Sequence, residues 1–247
     1  MNYWKCMVLL SAVALMSMVS VSAYAQVAAS HSGDTDPTTE GWTVAGVEAK
    51  GSAASGSWRV NDNGPDEGHL LYRTDTTAVE DALNDSGWLW TINTRGAEVD
   101  GPNNNQTTGK TAFSYWTENH GFYRVSLNRQ QGTIREPGAL DFNVEAADSF
   151  NYSVTDDPDG FHEYQFRFAG SHKSADVFVD GVKVADNVRP KFEGTPSSRV
   201  EFGAEQSGEH GDGYYSFVEL RGIPEPSALA LAALGCGMLG VGYRRRK

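Results

Sequence analysis

The stretch Ala175-Asp176-Val177-Phe178-Val179-Asp180-Gly181-Val182-Lys183-Val184 decides the fold. Runs of β-branched and aromatic residues stand on either side of Asp180-Gly181. A two-residue hairpin turn of the primed type needs positive φ at both central positions, which Asp and Gly tolerate. The segment therefore reads as an antiparallel hairpin, and the same pattern recurs outward from it. Strands are predicted at 42–47, 56–60, 69–73, 88–94, 111–116, 122–128, 140–144, 150–154, 161–168, 175–179, 182–185, 200–204 and 214–220. Several alternate with the period of two that a half-buried strand requires. Trp88, Trp90 and Ile92 oppose Leu89, Thr91 and Asn93, while Tyr164, Phe166 and Phe168 oppose Gln165 and Arg167. Ala78, Val79, Ala82 and Leu83 suggest one short helix at 76–85, ended by Gly87, and 101–110 with its three asparagines reads as a polar loop. Many short strands with one helix predict an all-β, two-sheet antiparallel sandwich.

The two ends read differently from this body. Lys5 is followed by the uncharged apolar run 7–21, and Ala23-Tyr24-Ala25 places small residues three and one before Gln26, the pattern of a signal peptide cut by signal peptidase. At the other end Ile223-Pro224-Glu225-Pro226 precedes the uncharged stretch 227–243, then Arg244-Arg245-Arg246-Lys247. That stretch reaches the lower bound for an apolar helix spanning a bilayer, and a basic tail stays on the cytoplasmic side. Both ends thus agree on a topology with the body outside the inner membrane. The prolines exclude helix at the membrane edge and leave an extended strip that a protease can grip.

A Pro-Glu-Pro element, an apolar glycine-containing helix and a final basic cluster, in that order, resemble the tripartite PEP-CTERM sorting signal. The resemblance implies recognition by an exosortase-type membrane protease, tail removal, and export to the surface or matrix of a Gram-negative, exopolysaccharide-producing bacterium. The division that follows is 1–25 signal peptide, 26–37 flexible lead, 38–222 sandwich and 223–247 sorting signal.

The chain has 247 residues with 20 Lys+Arg against 32 Asp+Glu. Removing Lys5, Arg244, Arg245, Arg246 and Lys247 from the bases and Glu225 from the acids leaves 15 and 31 in residues 26–222, a formal charge of about −16. Such a surface disfavours nucleic acid and anionic lipid and is compatible with neutral glycans and divalent cations. Both cysteines, Cys6 and Cys236, lie in the terminal segments, so the body has neither disulfide nor thiolate chemistry. The body holds all 11 Phe of the chain, enough aromatic area for a core without such staples.

The body also resembles a family. Ser174 to Gly181, preceded by Phe166-Arg167-Phe168 and followed by Arg199-Val200-Glu201-Phe202-Gly203-Ala204, is similar to the concanavalin A-like lectin/glucanase superfamily in its laminin-G-like branch. Asp36 to Trp42 and Trp58-Arg59-Val60-Asn61-Asp62 extend the likeness. It implies a jelly roll, with motifs that are structural rather than catalytic. The glucanase branch carries two catalytic Glu on one strand with an Asp between them. Alternation places Glu201, Gly203 and Glu205 on one face here, with glycine at the middle position. No intervening carboxylate then keeps one Glu protonated while the other is ionised.

Other candidates are weaker in pattern. Asp156, Asp157 and Asp159 form an acidic turn before Gly160 that offers oxygens to a structural Ca²⁺ but lacks a full calcium-loop spacing. Trp116, Tyr214 and Tyr215 are aromatics that would stack on sugar rings if they face out. His31, His69, His120, His162, His172 and His210 lack metal spacing, and no Gly-x-Ser-x-Gly, HExxH or phosphate loop occurs. The expectation is an exported, surface-sorted sandwich without catalysis and without an organic cofactor that binds extracellular polysaccharide or other surface partners. A glycoside hydrolase or lyase using Glu201 and Glu205, and a purely structural envelope or matrix component, are the alternatives. Replacing Pro224, Glu225 and Pro226 with alanines is expected to leave the precursor tailed and in the inner membrane. Fractionation with intact-mass measurement checks this, and normal release would contradict the sorting reading.

Overall fold

Short alternating segments bury their apolar side only by pairing edge to edge and stacking face to face. The computed structural model describes residues 26–46, 51–62, 70–77, 87–96, 110–117, 121–129, 140–157, 160–168, 174–191, 198–204 and 211–223. Among them are fifteen strands, numbered in chain order. The larger sheet runs, in spatial order, β13 (Val182–Val188), β12 (Ala175–Val179), β11 (His162–Phe168), β6 (Trp88–Gly96), β15 (Gly211–Gly222), β4 (Trp58–Asp62) and β3 (Gly51–Ala53), with β1 (Val27–Ser32) also paired to β15. The smaller sheet runs β10 (Phe150–Val154), β9 (Leu140–Glu145), β8 (Gly121–Arg129), β7 (Lys110–Thr117), β14 (Arg199–Ala204), β5 (Leu70–Asp75) and β2 (Thr43–Ala45). Every pairing of these strands is antiparallel. Val27–Gly222 forms a unit of its own, a two-sheet jelly-roll sandwich.

The alternation read from sequence is the alternation of burial. On β11, His162, Tyr164, Phe166 and Phe168 are buried while Glu163, Gln165 and Arg167 are not. On β6, Trp88, Trp90 and Ile92 are buried, and Trp90 meets Phe113 of the other sheet edge-on at 5.4 Å. A second interlock centres on Phe202 of β14, which packs on Trp42, Tyr72, Tyr215 and the ring of His31 at 4.8–5.4 Å. Beside it the Tyr215 hydroxyl crosses between sheets, donating to Gly203 O at 2.6 Å and accepting from Gly203 N–H at 3.1 Å. Gly203 takes φ +153°, a conformation that a side chain would strain.

The decisive hairpin forms as expected, with Asp180 at φ +49° and Gly181 at +76°. A second turn of the same kind escaped the reading. Ser55 (φ +51°) and Gly56 (φ +83°) join β3 to β4, with Ala54 and Ser57 exchanging both main-chain hydrogen bonds. The expected flexible lead is corrected too. Val27–Ser32 is a strand against β15, and Pro37–Glu40 is a 3-10 turn capped by Asp36, whose side chain accepts from Thr38 N–H. Its small polar residues resembled a tether, but the second half of β15 presents unpaired main-chain groups that β1 satisfies. Ala29 and His31 then face the core, and Trp42 Nε1 donates to Ser30 O at 2.8 Å. The predicted helix, from Ala78 on, and the loop at 101–109 lie outside the described residues.

Phe202→Ala removes the hub of the second interlock and is expected to cost about 3–5 kcal/mol. Tyr215→Phe, which leaves the buried main chain of Gly203 without its partner, is expected to cost about 1–3 kcal/mol. Urea midpoints measure both, and an unchanged midpoint in either variant would contradict this packing.

Candidate functional site

The inner faces are filled mainly by aromatic and aliphatic side chains, so among the described residues the charged rows lie on the outer faces. On the smaller sheet, the pairings Thr43 with Arg73, Arg73 with Glu201, Glu201 with Ser114, Ser114 with Arg124 and Arg124 with Glu145 make one row across the strands. Arg199 shares the outer face of β14 with Glu201. Glu201 is the centre of this row, its side chain only 5% exposed. Arg73 Nε and Arg199 Nε donate to its Oε1 at 2.6 and 2.7 Å, and Ser114 Oγ donates to Oε2 at 2.8 Å. Burial alone would push this carboxyl up, but the Arg199 charge, the Ser114 hydroxyl and the Arg73 charge outweigh it and hold the pKa below the usual glutamate value. Glu201 is therefore an ionised carboxylate at neutral pH, unsuited to donate a proton as a general acid.

Further along the row, Glu145 is bonded by Lys191 Nζ at 2.7 Å and by Arg124 at 3.4 Å. Both cations lie over the buried ring of Phe122. The face is thus a band of fixed, alternating charges with part-exposed arginine and lysine edges, suited to hydrogen-bonding hydroxyl groups. Arg73, Ser114, Arg124 and Glu145 were missed by the sequence reading, since their partners are brought together by the sheet. Arg199 had a local signal, because residues two apart on a strand share a face.

The other candidates separate clearly. Glu205 and Asp159 lie outside the described residues, as does the side chain of Trp116. Tyr215 is not a sugar platform: it is fully buried in the core and bonded to Gly203. Tyr214, its neighbour, faces outward on the larger sheet, but Arg95 lies over its ring at 4.1 Å and Arg59 at 5.6 Å. Asp156 and Asp157 are exposed, and among the described residues no three His, Cys, Asp or Glu are grouped to hold a metal ion. The Asp157 carbonyl instead accepts from Gly160 N–H and lies 2.9 Å from His162 Nε2. The buried His162 ring places Nδ1 2.7 Å from Oδ2 of the half-exposed Asp180, a contact that the sequence did not suggest. Ala23, Ala25, Pro224, Glu225, Pro226, Arg244, Arg245 and Arg246 are outside the described residues, and no described helix is long and apolar enough to cross a membrane.

Residues 222–247 match the family described as the PEP-CTERM protein-sorting motif. The tail is a PEP-CTERM sorting motif. It marks an exported protein processed by an exosortase at the cell envelope. The sandwich is similar in structure to a carbohydrate esterase from the Shiga toxin-encoding bacteriophage phi24B, with a TM-score of 0.60 and 10% identity over 81% of this chain and 100% of that one. It is also similar to the kappa-carrageenase of Zobellia galactanivorans, with a TM-score of 0.51 and 12% identity over 83% and 98%. At such identities the likeness is one of fold, and the body is a two-sheet antiparallel jelly roll. No curated protein sequence matches the chain.

Because the folded pKa of Glu201 is depressed, its stabilising contribution is present above the unfolded glutamate pKa and is lost as pH falls through the folded one. Glu201→Gln is expected to cost roughly 2–3 kcal/mol at pH 7, less than a fully buried pair because Arg73 is partly in water, and to flatten the acid limb of the stability curve. Denaturant titrations from pH 3 to 7 measure this. Equal stability of variant and parent at pH 7 would contradict the clamp.

Proposed function

We propose that this PEP-CTERM protein is a surface or matrix component whose sandwich binds extracellular polysaccharide without cleaving it. Signal peptidase would remove residues 1–25, and an exosortase-type protease would act at the Pro224-Glu225-Pro226 strip once the apolar segment holds the precursor in the inner membrane. The observation that carries the non-catalytic reading is the Glu201 clamp: the carboxylate at the centre of the outer face is held ionised by two arginines and a serine hydroxyl. Glycosidic cleavage by a carboxyl pair needs one member protonated and the ionised partner free to reach the sugar; Glu201, 5% exposed and with both oxygens bonded, is placed for neither role. A fixed, ionised carboxylate with part-exposed guanidinium edges beside it instead suits hydrogen bonding to sugar hydroxyls that stay intact. The two structural neighbours, a carbohydrate esterase and a carrageenase, support carbohydrate as the ligand class. The sorting motif supports an encounter outside the cell.

The test is affinity electrophoresis of the full-length chain, solubilised in a nonionic detergent, through gels containing a panel of polysaccharides, alongside a reducing-end assay. Retardation by at least one polysaccharide with no new reducing ends is expected. Reducing ends that appear with the parent and vanish with Glu201→Gln would establish hydrolysis instead. Free migration through every gel would favour a purely structural role.

A further inference from the structure

The outer face of the larger sheet carries a row that the Glu201 site does not use. Arg59 pairs with Tyr214, and Tyr214 with Arg95. His162 pairs with Thr94, so Phe161, one residue earlier, comes beside Arg95. The side chains alternate as cation, ring, cation, ring: Arg59 stands over Tyr214 at 5.6 Å, Arg95 over Tyr214 at 4.1 Å and Arg95 over Phe161 at 5.4 Å. We propose that this row, Arg59, Tyr214, Arg95 and Phe161, is an anion site that binds the carboxylate or sulfate groups of an acidic extracellular polysaccharide. The proposal deepens the carbohydrate-binding reading and rests on it for ligand class, but assigns a second face and a charged substrate.

The charge of Arg95 carries the argument. Arg73, Arg124, Arg189, Arg199 and Lys191 each have a carboxylate oxygen within 2.6–3.4 Å. Among the described residues Arg95 meets two aromatic rings and no carboxylate, and its Nε–H is buried without an acceptor. In a body with 31 acidic residues against 15 basic ones, an arginine left without an acid is unexpected on abundance alone. Stacking on Tyr214 and Phe161 fixes the guanidinium plane and leaves its terminal Nη–H edge for a planar or tetrahedral oxyanion, which it binds in a forked geometry.

Spacing and surroundings point to a polysaccharide. Arg59 and Arg95 flank β15 and so stand two strand spacings apart, ~10 Å, the scale of a disaccharide step in an extended chain. Phe161, 40% exposed, offers the apolar surface that a pyranose ring face can cover. The acidic remainder of the body repels a densely charged polymer such as nucleic acid more strongly than one with a single charge per sugar or fewer.

The experiment uses the full-length chain in nonionic detergent with three immobilised probes: alginate, kappa-carrageenan and unmodified dextran. Binding to an acidic probe is expected, weakening as salt rises. Arg95→Gln should weaken it at least tenfold and Arg59→Gln severalfold. Arg189→Gln, which makes the same charge change at a distant surface ion pair, should leave it within twofold. Thermal unfolding accompanies each variant, and if Arg95→Gln melts early, Arg95→Lys, which keeps the charge without the stacked fork, is expected to retain the fold and lose most of the affinity. Parent-like acidic binding by the Arg95 variants, or equal loss with Arg189→Gln, would overturn the proposal. Binding to dextran but to neither acidic probe would overturn the anion site and leave the carbohydrate reading standing. No binding to these or to the wider panel would remove both.

Discussion

Two antiparallel sheets without a disulfide between them are held by aromatic packing, and this constraint governs the rest of the molecule. Trp90 against Phe113 and Phe202 among Trp42, Tyr72, Tyr215 and His31 join the sheets through side chains that are almost wholly withdrawn from water. The Tyr215 hydroxyl adds a polar stitch to Gly203 in the same region. Inner positions committed in this way are closed to ligand chemistry.

The outer faces carry the charged rows. On the smaller sheet each buried or half-buried carboxylate is shared by two cations, Glu201 by Arg73 and Arg199, and Glu145 by Arg124 and Lys191. Sharing lowers the cost of withdrawing Glu201 from water and fixes its protonation state. On the larger sheet, among the described residues, aromatic rings rather than carboxylates surround Arg95 and orient its charge. Both sheets therefore carry internally paired charges, and the larger one adds Arg95 set against aromatic rings.

The sequence was most informative where the physics is local. Asp180-Gly181 names its turn by conformational tolerance, alternation along β6 and β11 separates inner from outer side chains, and the PEP-CTERM tail is a linear signal that needs no fold. Legibility failed where the determinant is remote. β1 is small and polar in composition, and only the vacant edge of β15 makes it a strand. Arg73 and Glu201 are 128 residues apart, and no pattern near either announces the other. Tyr214 and Tyr215 illustrate the boundary between the two cases: adjacent residues on a strand face opposite ways, so one had to be buried, but the choice depends on how β15 sits between β6 and its neighbours.

The central claim is that Glu201 is a clamped carboxylate, ionised at neutral pH, that organises its face rather than a proton donor. The most direct measurement is a 13C NMR titration of its side-chain carboxyl, assigned by difference from Glu201→Gln. The account requires a midpoint below the ordinary glutamate range, with the resonance unmoved from neutral pH until the pH approaches that midpoint. A midpoint above the ordinary range would contradict it and return Glu201 to the role of general acid.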